Sequence, residues 1–311
     1  MISAAQVFFA HFSDTMDHLS ENTSSAGSRQ RRLQPVLDWI DAHPDGDLRL
    51  ETLSALVAVS PFHFHRLFKA WTGIALHRYI RLSRLRRASY QLAYRPLSVM
   101  QVALDNGYQS PEAFAREFRR DTGQSPSAFR HAPDWLSWNR RFRLFSERSL
   151  SVSAAFAEPQ LIAFPATRIA CMSHLGDPAL IGQTIQRFIA WRKKHHLHPS
   201  RYATLNILYD DPDTVAAQDF RLDLAVPLDA DPGEGADGIH LQTIPAGRCA
   251  KLLITGREQD LYAGLDWLYR TWLPASGQQL RDFPLFVERI RFFPDVPEHQ
   301  SEFAVYLPLQ D

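Results

Sequence analysis

The sequence predicts a multidomain chain: an all-α domain with two helix-turn-helix motifs, then an α+β domain of two pseudo-symmetric β-α-β-β repeats. Three observations lead there. The charge is divided along the chain, a helical segment is written twice at a spacing of about 50 residues, and a different repeat at a spacing of about 80 fills the C-terminal half. At 311 residues the chain is also longer than one hydrophobic core usually spans.

The formal net charge is zero, with 34 Lys and Arg against 34 Asp and Glu. Residues 29–148, however, hold 20 basic against 11 acidic side chains, a balance of +9, while residues 149–311 hold 14 against 20. A basic half joined to an acidic half is expected when one part meets nucleic acid. The composition, 45% hydrophobic and 22% charged, is that of globular domains. No run of 18 apolar residues occurs, so no membrane span is expected. The N-terminal "MISAAQVFFAHFSDTMDHL" lacks the basic region of a signal peptide, and its Val7, Phe8, Phe9, Phe12, Met16 and Leu19 suit one helical stripe. A cytoplasmic chain is the expectation. For Cys171 and Cys249, 78 residues apart, no disulfide framework is visible; buried reduced thiols and a single bridge are the two readings.

In chain order, "SENTSSAGSRQ" (20–30) reads as a polar linker, and "VLDWIDAHPDGD" as a short helix stopped by Pro44 and Gly46. Then "LSALVAVSPFHFHRLFKAWTG" (53–73) lies over "VALDNGYQSPEAFAREFRRDTG" (102–123). The pairs include Ser60/Ser110, Pro61/Pro111, Phe64/Phe114, Arg66/Arg116, Phe68/Phe118 and Gly73/Gly123; upstream of the serine the offset falls to 49. Each copy is an apolar helix, a turn, a serine N-cap and a proline at the first helical position, which is a helix-turn-helix. Between the copies runs an arginine-rich helix, "LHRYIRLSRLRRASYQLAY". In the C-terminal half "ATRIACMSHLG" matches "AGRCAKLLITG", each followed by an amphipathic helix and two strand-like segments. "YATLNILYDDP" and "PLFVERIRFFP" align there with an offset of 82 through Pro212 and Pro294. "DADPGEGADG" (229–238) joins the halves and lacks the ending of a phosphate loop.

Metal chemistry is not expected at the histidine-rich stretches. His63 and His65 are spaced i, i+2, about 200° apart on a helix, so they do not share one ion. "RKKHHLHP" (192–199) sits where a helix ends before Pro199, and cations there favour the negative end of the helix dipole. Phe64, Leu67, Phe68 and Trp71 carry the apolar face of the first reader helix. Phe62, His65, Arg66 and Lys69 fall elsewhere, in positions that a second helix offers to DNA. Arg66 suits a bidentate guanine contact, His65 a base edge and Phe62 a thymine methyl; an internal ion pair is the competing reading for Arg66 and Arg116. In the second reader Ser110, Glu112, Ala113, Arg116 and Arg120 take these places, contributing mainly backbone affinity. Of Arg78, Arg81, Arg84, Arg86 and Arg87 on the connecting helix, one or two are expected to touch phosphate, Arg81 first, and the others to be solvated.

These residues carry a resemblance. Residues 33–133 resemble the DNA-binding domain of the AraC/XylS family, and "GYQSPEAFAREFRRDTGQSPSAFR" follows its signature almost position by position. This implies two readers in successive major grooves, roughly 34–36 Å apart. Ala58 stands where the family often has glycine, and Phe62 and His65 where tryptophan and glutamine are common. Residues 157–311 resemble the GyrI-like, or SOUL-type, effector-binding domain through "YDDP", "IPAGRCA", "LDWLYRTWLPASG" and "PLFVERI". That likeness implies a small-molecule effector, often a cationic amphiphile, faced by a glutamate that corresponds to Glu288. Strand alternation puts Phe286, Glu288 and Ile290 on one face, with Thr204, Asn206 and Leu208 as pseudo-symmetric partners. A surface pair with Arg289 or Arg291 is the alternative for Glu288, and Ile290 stands where the family commonly has tyrosine.

The expected layout is an extension and linker over 1–30, the reader domain over 31–135, a linker over 136–156 and the effector domain over 157–311. The expected partners are double-stranded DNA, RNA polymerase and a small molecule. No cofactor, metal or catalytic group is expected. The competing readings are a hydrolase fused to a DNA-binding domain and a constitutive DNA-binding protein whose acidic half docks proteins.

Overall fold

A computed structural model of the chain describes residues 23–147, 156–211, 214–228 and 238–311. The N-terminal apolar stripe and most of the Gly/Asp loop at 229–238 lie outside these residues. Two compact units divide at residues 152 and 153.

Among the described residues the N-terminal unit is all helical. Its elements are α1 (Thr23–Ala42), α2 (Leu50–Ala55), α3 (Pro61–Thr72), α4 (Leu76–Tyr94), α5 (Val99–Asp105), α6 (Pro111–Thr122), α7 (Pro126–His131) and α8 (Trp135–Glu147). The two helix-turn-helices are α2–α3 and α5–α6. Phe64 and Phe68 of α3 and Phe114 and Phe118 of α6 are fully buried, as their spacing predicts. Both readers leave through the same device. The Thr72 hydroxyl donates to Phe68 O at 2.8 Å and that of Thr122 to Phe118 O at 2.8 Å, and Gly73 and Gly123 then take left-handed φ values of 69° and 81°. Entry differs: Ser110 accepts from the Ala113 amide at 3.2 Å, whereas Ser60 has the extended cap backbone but makes no side-chain cap bond.

Two stretches expected as linkers are helical. The segment 20–30 enters α1 from Thr23 onward. Serine and threonine cost only a few tenths of a kcal/mol each in a helix, about 0.7 at most. Once Leu33, Val36 and Ile40 are buried in the core, upstream turns add without a new nucleus. The segment 136–156 begins as α8, capped where the Asp134 carboxylate accepts from the Ser137 amide at 3.0 Å. Trp135, Trp138 and Phe142, at i, i+3 and i+7, are buried. Trp135 stacks on Tyr94, and Trp138 meets Tyr90 edge-on. Burying such side chains contributes roughly 1.5–3 kcal/mol each, so α8 belongs to this unit's core.

Among the described residues the C-terminal unit is built on one eight-stranded antiparallel sheet. Its strands are β1 (Gln160–Phe164), β2 (Thr167–Leu175), β3 (Leu205–Leu208), β4 (Arg221–Pro227), β5 (Ile239–Ile244), β6 (Gly247–Thr255), β7 (Leu285–Arg291) and β8 (Glu302–Pro308). Helix α9 (Ile181–Lys194) follows β2; α10 (Glu258–Trp267) follows β6 and runs through a wider turn, Leu268–Trp272, into α11 (Leu273–Ser276). The strand order β1-β6-β8-β7-β3-β4-β2-β5 reads the same from either end when the halves are exchanged. A pseudo-twofold axis therefore passes between β3 and β7. Each repeat has a strand more than its β-α-β-β core: β1 and β5 are exchanged, β1 pairing with β6 and β5 with β2.

The helices cover one face. Phe188 and Trp191 of α9 pack with Met172, Leu222 and Leu224, and Leu261, Leu268 and Trp272 pack with Leu252, Val287 and Val305. Arg192, buried at the end of α9, donates to Leu197 O, Tyr202 O and the Thr204 hydroxyl, and burial lowers its pKa to about 10. Among the described residues the other face carries no helix, yet its residues are buried because the sheet curls. Phe164 on β1 lies 5.0 Å, ring centre to ring centre, from Phe286 on β7, three strands away. A flat sheet would separate them by about 14 Å.

Candidate nucleic-acid and effector sites

On α3 the polar set stands clear of the domain. Phe62 is 87% exposed, and His63, His65, Arg66 and Lys69 are exposed as well. Arg66 and Arg116, which occupy equivalent positions in the repeat, are both exposed, and among the described residues neither has an ion-pair partner. Glu112 is exposed, Ala113 half-buried, and the Ser110 hydroxyl oxygen is used in capping α6.

Other arginines have partners within the fold, among them Arg81, the residue expected on phosphate. Its Nε lies 3.4 Å from Oδ2 of Asp121, an ion pair without hydrogen-bond geometry. Asp121, only 8% exposed, also meets Arg120 at 3.5 Å and Arg141 at 3.9 Å, and Arg141 Nε donates to Asp121 O at 2.8 Å. This carboxylate joins α4, α6 and α8. Arg120 is shared further with Glu117 at 3.4 Å. Arg84 donates to Pro44 O at 2.6 Å and Arg87 to Asp105 O at 2.9 Å. A helix crossed by partners on both sides spends its arginines on them, which spacing along one helix does not disclose.

In the sheet domain the register corrects the proposed partners of Glu288. Leu205 lies opposite Glu288 and Ile207 opposite Phe286, while Asn206 lies opposite Val287. Directly opposed residues share a face. Thr204, Asn206 and Leu208 are therefore on the helix-covered face, away from Glu288. Asn206 Oδ1 accepts there from Arg289 Nε at 3.1 Å, and Leu208 packs in the helix-side cores. The cause is a bulge: β7 steps from Arg289 opposite Phe303 to Arg291 opposite Glu302, so Ile290 is an extra residue. Through the strand proper the repeats correspond with an offset of 81, which makes Ile207 the counterpart of Glu288. The bulge raises the offset to 82 at Pro294. Ile290 itself is 45% exposed at this irregularity.

Glu288 is half-buried and does not pair with either neighbouring arginine. Arg289 pairs with Glu258 at 2.6 Å and Arg291 with Glu302 at 2.9 Å. The Tyr306 hydroxyl donates to Glu288 Oε2 at 2.9 Å, and burial, followed by the Glu288 charge, raises that phenol's pKa. Tyr306 stacks on Phe286 at 4.9 Å, Phe164 meets both edge-on, and Lys251 Nζ lies 5.5 Å from the Tyr306 ring centre. The sequence reading missed Tyr306 and Phe164, because only the β7–β8 register and the curl of β1 bring them to Glu288. A depression of about 410 Å³ lined by Met172, Arg187, Ala190, Trp191 and Lys194 lies on the helix-covered side and contains none of these groups.

Two solvent-facing reader helices in one unit, and a helix-free aromatic face around a carboxylate in another, define a DNA-binding regulator with a sensing domain. Comparisons with known proteins agree. A helix-turn-helix domain family matches residues 53–132, and the GyrI-like small molecule binding domain matches residues 157–310. The probable transcriptional regulator YgiV of Escherichia coli K12 is 30% identical over 150 residues, which is 48% of this chain and 94% of that protein. The regulatory protein SoxS of Salmonella typhimurium LT2 is 34% identical over 104 residues, 33% of this chain and 97% of that protein. Among solved structures, the DNA-binding domain of AdpA in complex with a target DNA shares 35% identity and covers 32% of this chain and 91% of that one, with a TM-score of 0.31. The chain belongs to the transcriptional regulators that join an AraC-type helix-turn-helix domain to a C-terminal GyrI-like small-molecule-binding domain. None of its described helices is long and apolar enough to cross a membrane.

Proposed function

We propose that α3 reads bases through Phe62, His65 and Arg66 with Lys69 on phosphate, that α6 adds Glu112, Ala113 and Arg116, and that the effector is a lipophilic cation received by Glu288. The observation carrying the DNA assignment is the contrast among arginines: Arg66 and Arg116 are exposed and unpaired among the described residues, while Arg81, Arg84, Arg87 and Arg141 are tied down. For the effector, Glu288 is a half-buried carboxylate whose one hydrogen bond among the described residues comes from a neutral phenol. A carboxylate on an aromatic face favours a partner that brings positive charge and apolar bulk together. Effector binding then changes the posture of the readers or their contacts with RNA polymerase, with no covalent step.

The test is binding of a lipophilic quaternary cation to the full-length chain and to Glu288→Gln. Loss of at least tenfold in affinity in the variant, with DNA binding retained, supports the assignment; equal affinity removes Glu288 from the site. A second reading, hydrolysis, draws on one observation: Tyr306 supplies the hydroxyl beside Glu288 that Ile290 does not. Ester turnover abolished by both Glu288→Gln and Tyr306→Phe selects that reading.

A further inference from the structure

The helix-free face carries a second polar cluster, in the other half of the sheet, which the proposed effector contact does not use. We infer that Cys171, Asp223 and His240 form a binding site for a divalent transition-metal ion of the zinc class. The three side chains come from three adjacent strands, β2, β4 and β5. Cys171 and His240 are direct cross-strand partners, and Asp223, opposite Ser173, stands one diagonal step away on the same face. Their candidate ligand atoms all lie within 4.8 Å of one another, and His240 Nε2 is 3.4 Å from Asp223 Oδ2. Zinc bonds of about 2.0–2.3 Å in a tetrahedron hold ligand atoms roughly 3.3–3.8 Å apart. The cluster reaches that geometry by side-chain shifts on the order of 1 Å.

The surroundings are those of a metal site. Asp223 and Cys171 are fully buried, whereas the His240 side chain is 41% exposed and marks the way in from solvent. Arg221 donates from Nη2 to Asp223 Oδ2 at 3.0 Å and lies 3.9 Å over the Tyr209 ring, and Gln242 Nε2 donates to Cys171 Sγ at 3.2 Å. Outer hydrogen bonds of this kind orient a ligating carboxylate and thiolate. An Arg221–Asp223 ion pair alone accounts for neither the thiol nor the imidazole converging on it. Nor does the fold's symmetry: the corresponding positions of the other half are Lys251, Ala304 and Gln160, which supply no such set. Burial pushes the Cys171 thiol up to about 12, so the metal-free site holds a neutral thiol. On binding, the S–H bond breaks, a sulfur–metal bond forms and the proton leaves to solvent. Three protein ligands leave one coordination position for water or for a donor atom of a bound molecule.

Co²⁺ added to the reduced full-length chain is the probe. The expected result is a thiolate-to-cobalt charge-transfer band at one equivalent, with visible bands of tetrahedral strength, all displaced by Zn²⁺. Cys171→Ser removes the charge-transfer band, Cys249→Ser keeps it, and His240→Gln, a change at a partly exposed side chain, weakens Co²⁺ at least tenfold. Absence of the band in the parent chain, its survival in Cys171→Ser, or unchanged affinity in His240→Gln each overturns the proposal. Retained DNA binding by the variants controls for folding.

Discussion

The turns of the two helix-turn-helices make the same left-handed step with different residues, and exchanging those residues tests how the repeat is built. Ala58 has φ 51°, and Gly107, its counterpart at the offset of 49, has φ 74°. An L-residue in that region costs roughly 1–2 kcal/mol, and glycine's greater freedom in the unfolded chain costs about 0.5–1 kcal/mol. Ala58 is exposed, so Ala58→Gly changes no packing and stabilises the unit by about 0.5–1 kcal/mol. Gly107→Ala is different. A Cβ there would stand 2.6 Å from Pro44 O and 2.8 Å from Arg84 Nη2, across the hydrogen bond that ties α4 to the end of α1. Losing that charged-donor bond adds about 1.5–3 kcal/mol to the backbone strain. The net cost is about 2–4 kcal/mol. Urea unfolding of the full-length variants, followed by far-ultraviolet circular dichroism through the helical transition, measures both. Destabilisation by Ala58→Gly, or a Gly107→Ala chain within about 0.5 kcal/mol of the parent, refutes the turn argument.

Two further outcomes are expected. Arg66→Ala weakens specific DNA binding by roughly 1–3 kcal/mol without changing stability, whereas Arg81→Ala costs about 1 kcal/mol of stability by removing one of three arginines from Asp121; binding titrations beside denaturation curves separate the two, and the reverse pattern exchanges their roles. Stability of the C-terminal unit falls as pH drops below about 6.5, because burial holds the His174 pKa below its ordinary value of 6.5. The folded imidazole stays neutral, with Nδ1 on the Thr184 hydroxyl and Nε2 on Asp177 O, while the unfolded one takes up a proton, so the contribution is present above that pH and lost below it. Thermal unfolding of His174→Gln across pH 5–7 shows a flatter profile if this is right.

The reader helices were legible because their signals are local. Proline and glycine punctuation and 3.6-residue periodicity put Phe64, Phe68, Phe114 and Phe118 inside and Arg66 and Arg116 outside. Helix α8 was missed and its segment read as a linker, although Trp135, Trp138 and Phe142 keep helical spacing. The sheet domain was legible in its repeat but less so in its faces. Strand side chains alternate with period two, so the single extra residue at Ile290 exchanged one face for the other and assigned Thr204, Asn206 and Leu208 wrongly.

By itself the sequence determined the two-part organisation and both helix-turn-helices, since these rest on spacing within one element or on repetition of a whole motif; Glu288 was singled out only by what the resemblance implies. Tertiary structure alone decided which arginines are exposed and which are held by partners, that Tyr306 and Phe164 surround Glu288, and that Cys171, Asp223 and His240 meet. Each of those depends on hydrogen-bonded register or packing between segments tens of residues apart, and no local period records such a pairing.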